Sequence, residues 1–365
     1  MNKLLIVDTT YPINTRTERF KQSLEYEYEV HTCTWLRKGR DVSLELINYY
    51  FFCCGNVGFG DKFKKLLYLP LFCLFVVKTA FKVKPSIIFA SHWDSLICAA
   101  VVKVIFLGKI KIVYDCLDMP TASSSILHKV LRGIERINLN LVDLTIFASR
   151  HFKPLYPKSI RSTIYENYPS KLILNKQTAM PKWFKDSDLE IIKNKKSISW
   201  IGVVRYFDIL ENILKALKGT ECFFYVFGDG PDLNKLKDKV KEMGMCNQVF
   251  FFGRYSSSDL EFIYGISQLV WAAYPTKDFN ALYAISNKYF ECSYFNRVPI
   301  ISVKTKMADG LKNSPNVILV DEYSVSDIRN KVFGFKLQAP YIKYEPDVTW
   351  EDKECDFVNY IKREL

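Results

Sequence analysis

The chain opens on a short apolar run, Lys3 to Val7 (KLLIV), and similar runs recur between polar turns through its first half. Val30 to Thr34, Ser86 to Ala90 (SIIFA), Lys111 to Tyr114 (KIVY) and Leu144 to Ala148 (LTIFA) share its length and character. Their hydrophobicity is continuous rather than alternating, which marks strands buried on both faces of a parallel sheet. Longer stretches between them, Leu96 to Leu107 and Ile126 to Leu141, predict the helices that cover such a sheet.

From Ser170 to Lys196 the pattern lapses into polar, lysine-rich sequence with Pro181, which predicts a linker carrying a short helix. The alternation restarts at Ser197 to Ile201. It continues through Cys222 to Phe227, Gln248 to Phe252, Gln268 to Ala272, Val298 to Val303 and Val317 to Val320. Two doubly wound α/β domains are therefore expected, over residues 1–170 and 197–335, joined by the linker 171–196. Residues 336–365 form a crossover segment ending in an amphipathic helix, Trp350 to Leu365, which is expected to return to the N-terminal domain. Open parallel sheets bind ligands beyond the C-terminal ends of their strands, so the site is expected in a cleft between the domains.

A length of 365 residues suits two domains, and a chain 49% hydrophobic and 25% charged has the balance of a folded protein. The net charge of +12 points to an anionic partner: nucleic acid, anionic lipid or a diphosphate-bearing substrate. Much of the excess lies early, at Arg37, Lys38, Arg40, Lys62, Lys64, Lys65, Lys78, Lys82 and Lys84, any of which could simply be a solvated surface charge. No basic stripe with interleaved aromatics, RNA-binding signature or zinc-ligand spacing supports a nucleic-acid partner, and no GxxxxGK[ST] occurs. The ten cysteines include no CxxC pair and read as reduced thiols. Nothing before Thr9 resembles a signal peptide, so a cytoplasmic protein is expected. Leu66 to Val77 (LLYLPLFCLFVV) is a dozen residues interrupted by Pro70 and bounded by lysines. Spanning a bilayer takes about 20 apolar residues, so this segment is either a buried helix or an interfacial one touching an anionic membrane.

Four segments of the second domain could carry chemistry. In FYVFGDGP, Phe224 to Pro231, a strand ends in a tight turn where Gly228 and Gly230 would let a ligand approach the backbone, and Pro231 suits the first turn of the following helix. Val249 to Tyr255 (VFFFGRY) ends at Gly253 and Arg254, with amides that could bind a base edge, and Ser256 to Asp259 could cap the next helix. In ISNKYFECSY, Ser286 or Asn287 would cap a helix whose free amides and Lys288 could seat a diphosphate. Glu291, on the same face, would accept from two ribose hydroxyls. The plainer alternative is a surface ion pair between Lys288 and Glu291. Gly202 and Arg205, in WIGVVRYFD, could bring an open backbone and a guanidinium to the same phosphates. All four lie at successive strand ends, and that coincidence says more than any one of them.

The series Gly202 with Arg205, FGDGP, V-x-F-x-G (Val249, Phe251, Gly253), NKYFE (Asn287 to Glu291) and VPII (Val298 to Ile301) resembles the donor half of glycosyltransferase family 4 and related GT-B enzymes of capsule and exopolysaccharide synthesis. The resemblance implies the GT-B architecture, with two Rossmann-like domains facing across a cleft. It implies that Glu291 binds the ribose of a nucleoside-diphosphate sugar, that Arg205 and Lys288 neutralise its diphosphate, and that the turns at Gly228 and Gly253 line the base. The family commonly has a glutamate eight positions before the second; here that position is Tyr283. The retaining mechanism usual in the family is therefore not implied.

In the N-terminal half, Thr9 to Arg19 (TTYPINTRTER) resembles the loop lying over acceptor and donor in this architecture. Two strand ends there, Ser91 to Asp94 (SHWD) and Tyr114 to Asp118 (YDCLD), carry candidates for a base that deprotonates an acceptor hydroxyl. By likeness to transferases with a YDxxD-type strand end, Asp118 comes first, then Asp115 and His92; each could instead cap a helix or tie down a loop. Glu166 to Pro169 (ENYP) is expected to be structural.

The expected activity is transfer of a sugar to a saccharide or lipid-linked saccharide acceptor. No cofactor or metal is expected, the nucleotide sugar being a co-substrate. A GT-B-type nucleotide-sugar epimerase and a catalytically inactive scaffolding relative are the alternatives.

Overall fold

The structure is a computed structural model describing residues 1–37, 46–58, 61–122, 124–171, 180–181, 183–184, 196–338 and 340–365. Most of the predicted linker and its short helix fall outside the described residues, as do Lys38, Arg40 and the side chain of Lys62. The chain forms two compact units, Met1–Glu166 with Lys353–Leu365, and Asn167–Asp352.

The first unit is built on β1 (Asn2–Asp8), α1 (Thr15–Glu25), β2 (Tyr28–Trp35), β3 (Tyr49–Phe52), α2 (Lys62–Val83), β4 (Ile87–Ala90) and α3 (Trp93–Ile105). It continues with β5 (Lys111–Cys116), α4 (Ser125–Leu139), β6 (Leu144–Phe147) and β7 (Ser162–Ile164). The seven strands are all parallel, in the order β3-β2-β1-β4-β5-β6-β7. Five of them are the predicted runs, and Leu4 to Val7 of the central β1 are fully buried, as a run covered on both faces must be. Strands β3 and β7 were not expected. Both lie at sheet edges and are at most partly buried; β7 (STI) is three residues and mostly polar, whereas β3 (YYFF) is an apolar aromatic run.

A larger departure is α2. Pro70 does not break it, and one helix of 22 residues replaces the dozen expected. Pro70 sits on the exposed side of the helix, as does Leu66, whose carbonyl has no amide from Pro70 to accept.

The second unit contains β8 (Ser197–Ile201), α5 (Phe207–Leu217), β9 (Phe223–Phe227), α6 (Leu233–Glu242), β10 (Val249–Gly253), α7 (Leu260–Ile266) and β11 (Leu269–Trp271). After them come α8 (Phe279–Tyr283), α9 (Asn287–Tyr294), β12 (Val298–Ser302), α10 (Lys306–Asp309), β13 (Ile318–Val320) and α11 (Val325–Gly334). Its six parallel strands, all anticipated, run β10-β9-β8-β11-β12-β13. Helix α5 shows why the pattern was readable: Ile209, Leu210, Ile213, Leu214 and Leu217 recur at helical spacing and all are buried on the sheet. Pro231 lies just outside α6, ahead of its N-cap Asp232, rather than in its first turn.

The last helix, α12 (Trp350–Glu364), belongs to the first unit from Lys353 onward. Phe357 packs there against Phe20 of α1 and Tyr165, with ring centroids 4.8 Å from each. All ten cysteines are free thiols.

Candidate functional site

The predicted glycines of the second unit hold three strand ends together. Gly202, after β8, has φ +124° and its amide donates to the Phe227 carbonyl at 2.8 Å. Gly228, after β9, has φ +135°, and a Cβ there would lie 1.9 Å from the Gly202 carbonyl oxygen. At Gly230 a Cβ would lie 2.3 Å from the carbonyl oxygen of Val204. The β8 loop backbone packs where Gly228 and Gly230 would carry a Cβ, which by itself requires glycine at both positions. The lacing continues as the Gly228 amide donates to Gly253 at 2.6 Å. Gly253 has open space where a Cβ would stand, and at Gly202 a Cβ would meet only the Lys288 ammonium at 3.7 Å, so these two turns leave room on that side. Beside it Arg254, exposed, donates to Asp229 at 2.9 Å and bridges the β9 and β10 turns.

Helix α9 begins against this group. Its cap is Ser286, whose hydroxyl accepts from the Lys288 amide at 3.3 Å, and Asn287 is exposed at its first position. The Lys288 side chain runs toward Gly202, where a Cβ would come to 3.7 Å from its Nζ. Burial disfavours the Lys288 charge, but Tyr274, Glu291 and Tyr255 around it outweigh that, and its pKa sits above the ordinary lysine value. The side chain is half-buried and charged, yet among the described residues it makes no ion pair, so the alternative of a surface pair with Glu291 does not hold. Arg205 is exposed beside the same loop, its guanidinium 4.7 Å from the Tyr206 ring.

Glu291 is oriented from behind. The fully buried Tyr264 of α7 donates its hydroxyl to Oε2 at 2.5 Å, and burial together with this carboxylate pushes the phenol well above its usual pKa. Nothing in the local sequence links the two, 27 residues apart, so Tyr264 was not foreseen. The loop after β11 is held likewise by Glu322, fully buried, which accepts from the Thr276 amide at 2.9 Å, from its hydroxyl, and from Ser302 at 2.5 Å. Tyr283 ends the short α8 that follows, its ring 5.1 Å from Phe279.

In the first unit the predicted bases part company. Asp115 is fully buried and both its oxygens accept from Arg16, at 2.9 to 3.1 Å, while Arg16 also donates to the Tyr165 carbonyl at 2.6 Å. A carboxylate so enclosed ties β5 to α1 and is not open to a substrate, which corrects its place among the candidate bases. Asp118 is exposed in the turn after β5. His92 caps α3 without a side-chain capping bond, its Nε2 3.4 Å from Asn14 Nδ2. Asn14 also donates to Asp8 at 3.3 Å. Asp8 is buried at the end of β1, and burial raises its pKa despite the nearby His92. Asp94 lies buried alongside; burial opposes its charge, but Lys65 and His92 bring its pKa below the ordinary value. The sequence pointed to His92 alone; its neighbours come from positions up to 85 residues apart. Glu166 accepts from the Arg150 amide and side chain, a structural role as expected from ENYP. A cavity of about 470 Å³ lined by Asn2, Lys109, Lys111 and Lys362 lies at the opposite, N-terminal ends of these strands and includes none of the candidate residues.

The second unit thus offers a cation with no ion-pair partner among the described residues, a buttressed carboxylate one turn further along the same helix, and an open glycine turn, all at the C-terminal ends of its strands. No family model and no curated protein matches the sequence. Among solved structures, sucrose-phosphate synthase from Thermosynechococcus elongatus superposes with a TM-score of 0.77 at 11% identity, covering 100% of this chain and 99% of that one. HepE from Anabaena, solved with UDP and glucose, gives 0.65 at 13% identity over 100% and 99% of the two chains. The lipopolysaccharide outer core galactosyltransferase WaaB gives 0.61 at 14% identity over 99% and 100%. The chain has the fold of these proteins, the GT-B fold.

Proposed function

We propose that the protein is a glycosyltransferase that moves a sugar from a nucleoside-diphosphate sugar to a hydroxyl of a saccharide or lipid-linked saccharide, in the synthesis of cell-surface polysaccharide on the cytoplasmic side. The observation that carries this reading is Lys288, a half-buried ammonium at the start of α9 that makes no ion pair among the described residues, with the Glu291 carboxylate as a neighbour. A diphosphate would give it a direct partner. Glu291, one turn on, then faces the ribose hydroxyls with one oxygen fixed by Tyr264. The UDP bound by HepE supports a donor of this class.

In the reaction an acceptor oxygen attacks the anomeric carbon, the bond from that carbon to the diphosphate oxygen breaks, and the acceptor proton passes to a base. Negative charge grows on the departing diphosphate, and Lys288, Arg205 and the first amides of α9 stabilise it there. These groups support a metal-independent transfer. For the base, His92 with Asn14 and Asp8 behind it, or the exposed Asp118, fits better than Asp115.

The test begins with UDP-, GDP- and other nucleotide sugars screened by thermal shift; a ligand at 100 times its Kd stabilises the folded state by about 2.7 kcal/mol. The best donor is then assayed with acceptors using Glu291→Ala in a Tyr264→Phe background, which leaves no phenol without its acceptor. Loss of transfer with unchanged unfolding of the free protein is expected. Full transfer in that variant removes the donor assignment. Conversion of donor with no acceptor present would make the protein an epimerase instead.

A further inference from the structure

We propose that the outer faces of α2, α3 and α4 form a docking surface for an anionic lipid bilayer. Helix α2 is long enough to cross a membrane, but it is fastened to the first unit by its inner face. Phe72, Val76 and Ala80 are fully buried, and Phe72 stacks on Trp35 of β2 at 5.4 Å. Withdrawing α2 to span a bilayer would uncover that core. Its outer face is another matter: Phe63, Leu67, Leu71, Leu74 and Phe81, spaced at three, four and seven residues, are 46% to 80% exposed.

The apolar surface continues beyond α2. Phe81 meets Phe106, just past the end of α3, at 4.8 Å, and Leu107 beside it is 83% exposed. Helix α3 packs against both α2 and α4. The three crossovers β3-α2-β4, β4-α3-β5 and β5-α4-β6 advance in one direction along the sheet, so right-handed connection puts all three helices on the same side. Of 23 exposed large hydrophobic side chains among the described residues, 14 lie here: six on α2, four on α3 and its following turn, four on α4. A scatter of single exposed apolar residues is ordinary, but a concentration of this kind marks a binding surface.

Charge selects the occupant. Lys64, Lys78, Lys82 and Lys84 are exposed along α2 and its C-cap, with Lys109 after α3 and Lys129 and Arg136 on α4. The three helices contain two acids, Asp94 and Glu135, and both are buried. An interface with another copy of this chain would set these cations against each other. Asp61 at the α2 N-cap pairs with Lys64, and the other rim cations remain in excess. A uniformly anionic surface with an apolar interior is what an apolar face with a predominantly cationic rim complements.

The surface does not depend on the donor site, so each can fail alone. The experiment is sedimentation of the full chain with phosphatidylcholine vesicles, with and without phosphatidylglycerol, alongside light scattering. Binding at least ~10-fold stronger to the anionic vesicles is expected, since each basic residue near the surface adds severalfold. Leu67→Asp with Leu74→Asp, and separately Lys78→Glu with Lys82→Glu, should each abolish most of it while leaving the melting temperature and nucleotide binding as in the parent. Equal binding by parent and variants, or none by the parent, overturns the proposal. So does a dimer in solution that the Leu67/Leu74 variant dissociates, which would assign this face to a second copy.

Discussion

Replacing Lys288 by Met separates a ligand-binding cation from a structural one. The two side chains are similar in length, so the substitution removes the charge and little volume. In the free protein the ammonium is half-buried, makes no ion pair among the described residues, and is held charged by its surroundings. Its removal relieves desolvation but forfeits the larger attraction of Glu291 and the neighbouring tyrosines that raises its pKa, so the free protein should lose about 1–2 kcal/mol of stability. With a diphosphate bound a further loss is added. Unit charges about 4 Å apart attract by about 4 kcal/mol at an effective dielectric of ~20, and part of this is spent stripping water from the phosphate. A net loss of about 1.5–3 kcal/mol follows, the range for hydrogen bonds to charged groups, or ~10- to 150-fold in donor affinity. Isothermal titration with the nucleoside diphosphate reads the affinity, and urea unfolding without ligand reads the stability. Unchanged affinity, or a variant that unfolds readily when empty, would refute the reasoning.

Three further outcomes follow from the same geometry. Gly228→Ala should lose at least ~3 kcal/mol in urea unfolding, because it adds a Cβ 1.9 Å from the Gly202 carbonyl at φ +135°; a loss under ~0.5 kcal/mol would mean the strand-end turns are not laced as described. Asp115→Asn leaves the buried Arg16 unneutralised and should destabilise by about 3–5 kcal/mol, whereas a variant of normal stability with no turnover would restore Asp115 as the base. Burial raises the Asp8 pKa, so the stability tied to its protonated form is complete below its unfolded value near 3.8 and is lost as pH rises through the raised folded value. Asp8→Asn, neutral throughout, should therefore gain in melting temperature relative to the parent from about pH 4 to pH 8, and a flat difference would contradict the assignment.

What the sequence showed and what it hid divide along physical lines. Central strands such as β1 and β9 are enclosed on both faces, so their residues must be apolar in an unbroken run. Edge strand β7, three residues and mostly polar, carries no such constraint and went unseen, whereas β3, an aromatic run of four, was legible and was missed. Leu66 to Val77 reads as a dozen residues interrupted by Pro70, but with Pro70 on an exposed face the helix runs on over Lys62–Val83. At the donor site the glycines were legible as necessary glycines, and at Gly228 and Gly230 a second backbone turn packs where a Cβ would stand. Lys288 and Glu291 could be paired because one helical turn separates them. Tyr264, Glu322 and Asn14 could not, since their partners arrive from distant segments only when the sheets form.

A crystal structure of the protein soaked with a nucleoside diphosphate tests the assignment at its root. The account predicts a phosphate oxygen within about 2.7–3.2 Å of Lys288 Nζ and ribose hydroxyls donating to Glu291. A nucleotide seated elsewhere, with no phosphate in contact with the Lys288 ammonium, would contradict it.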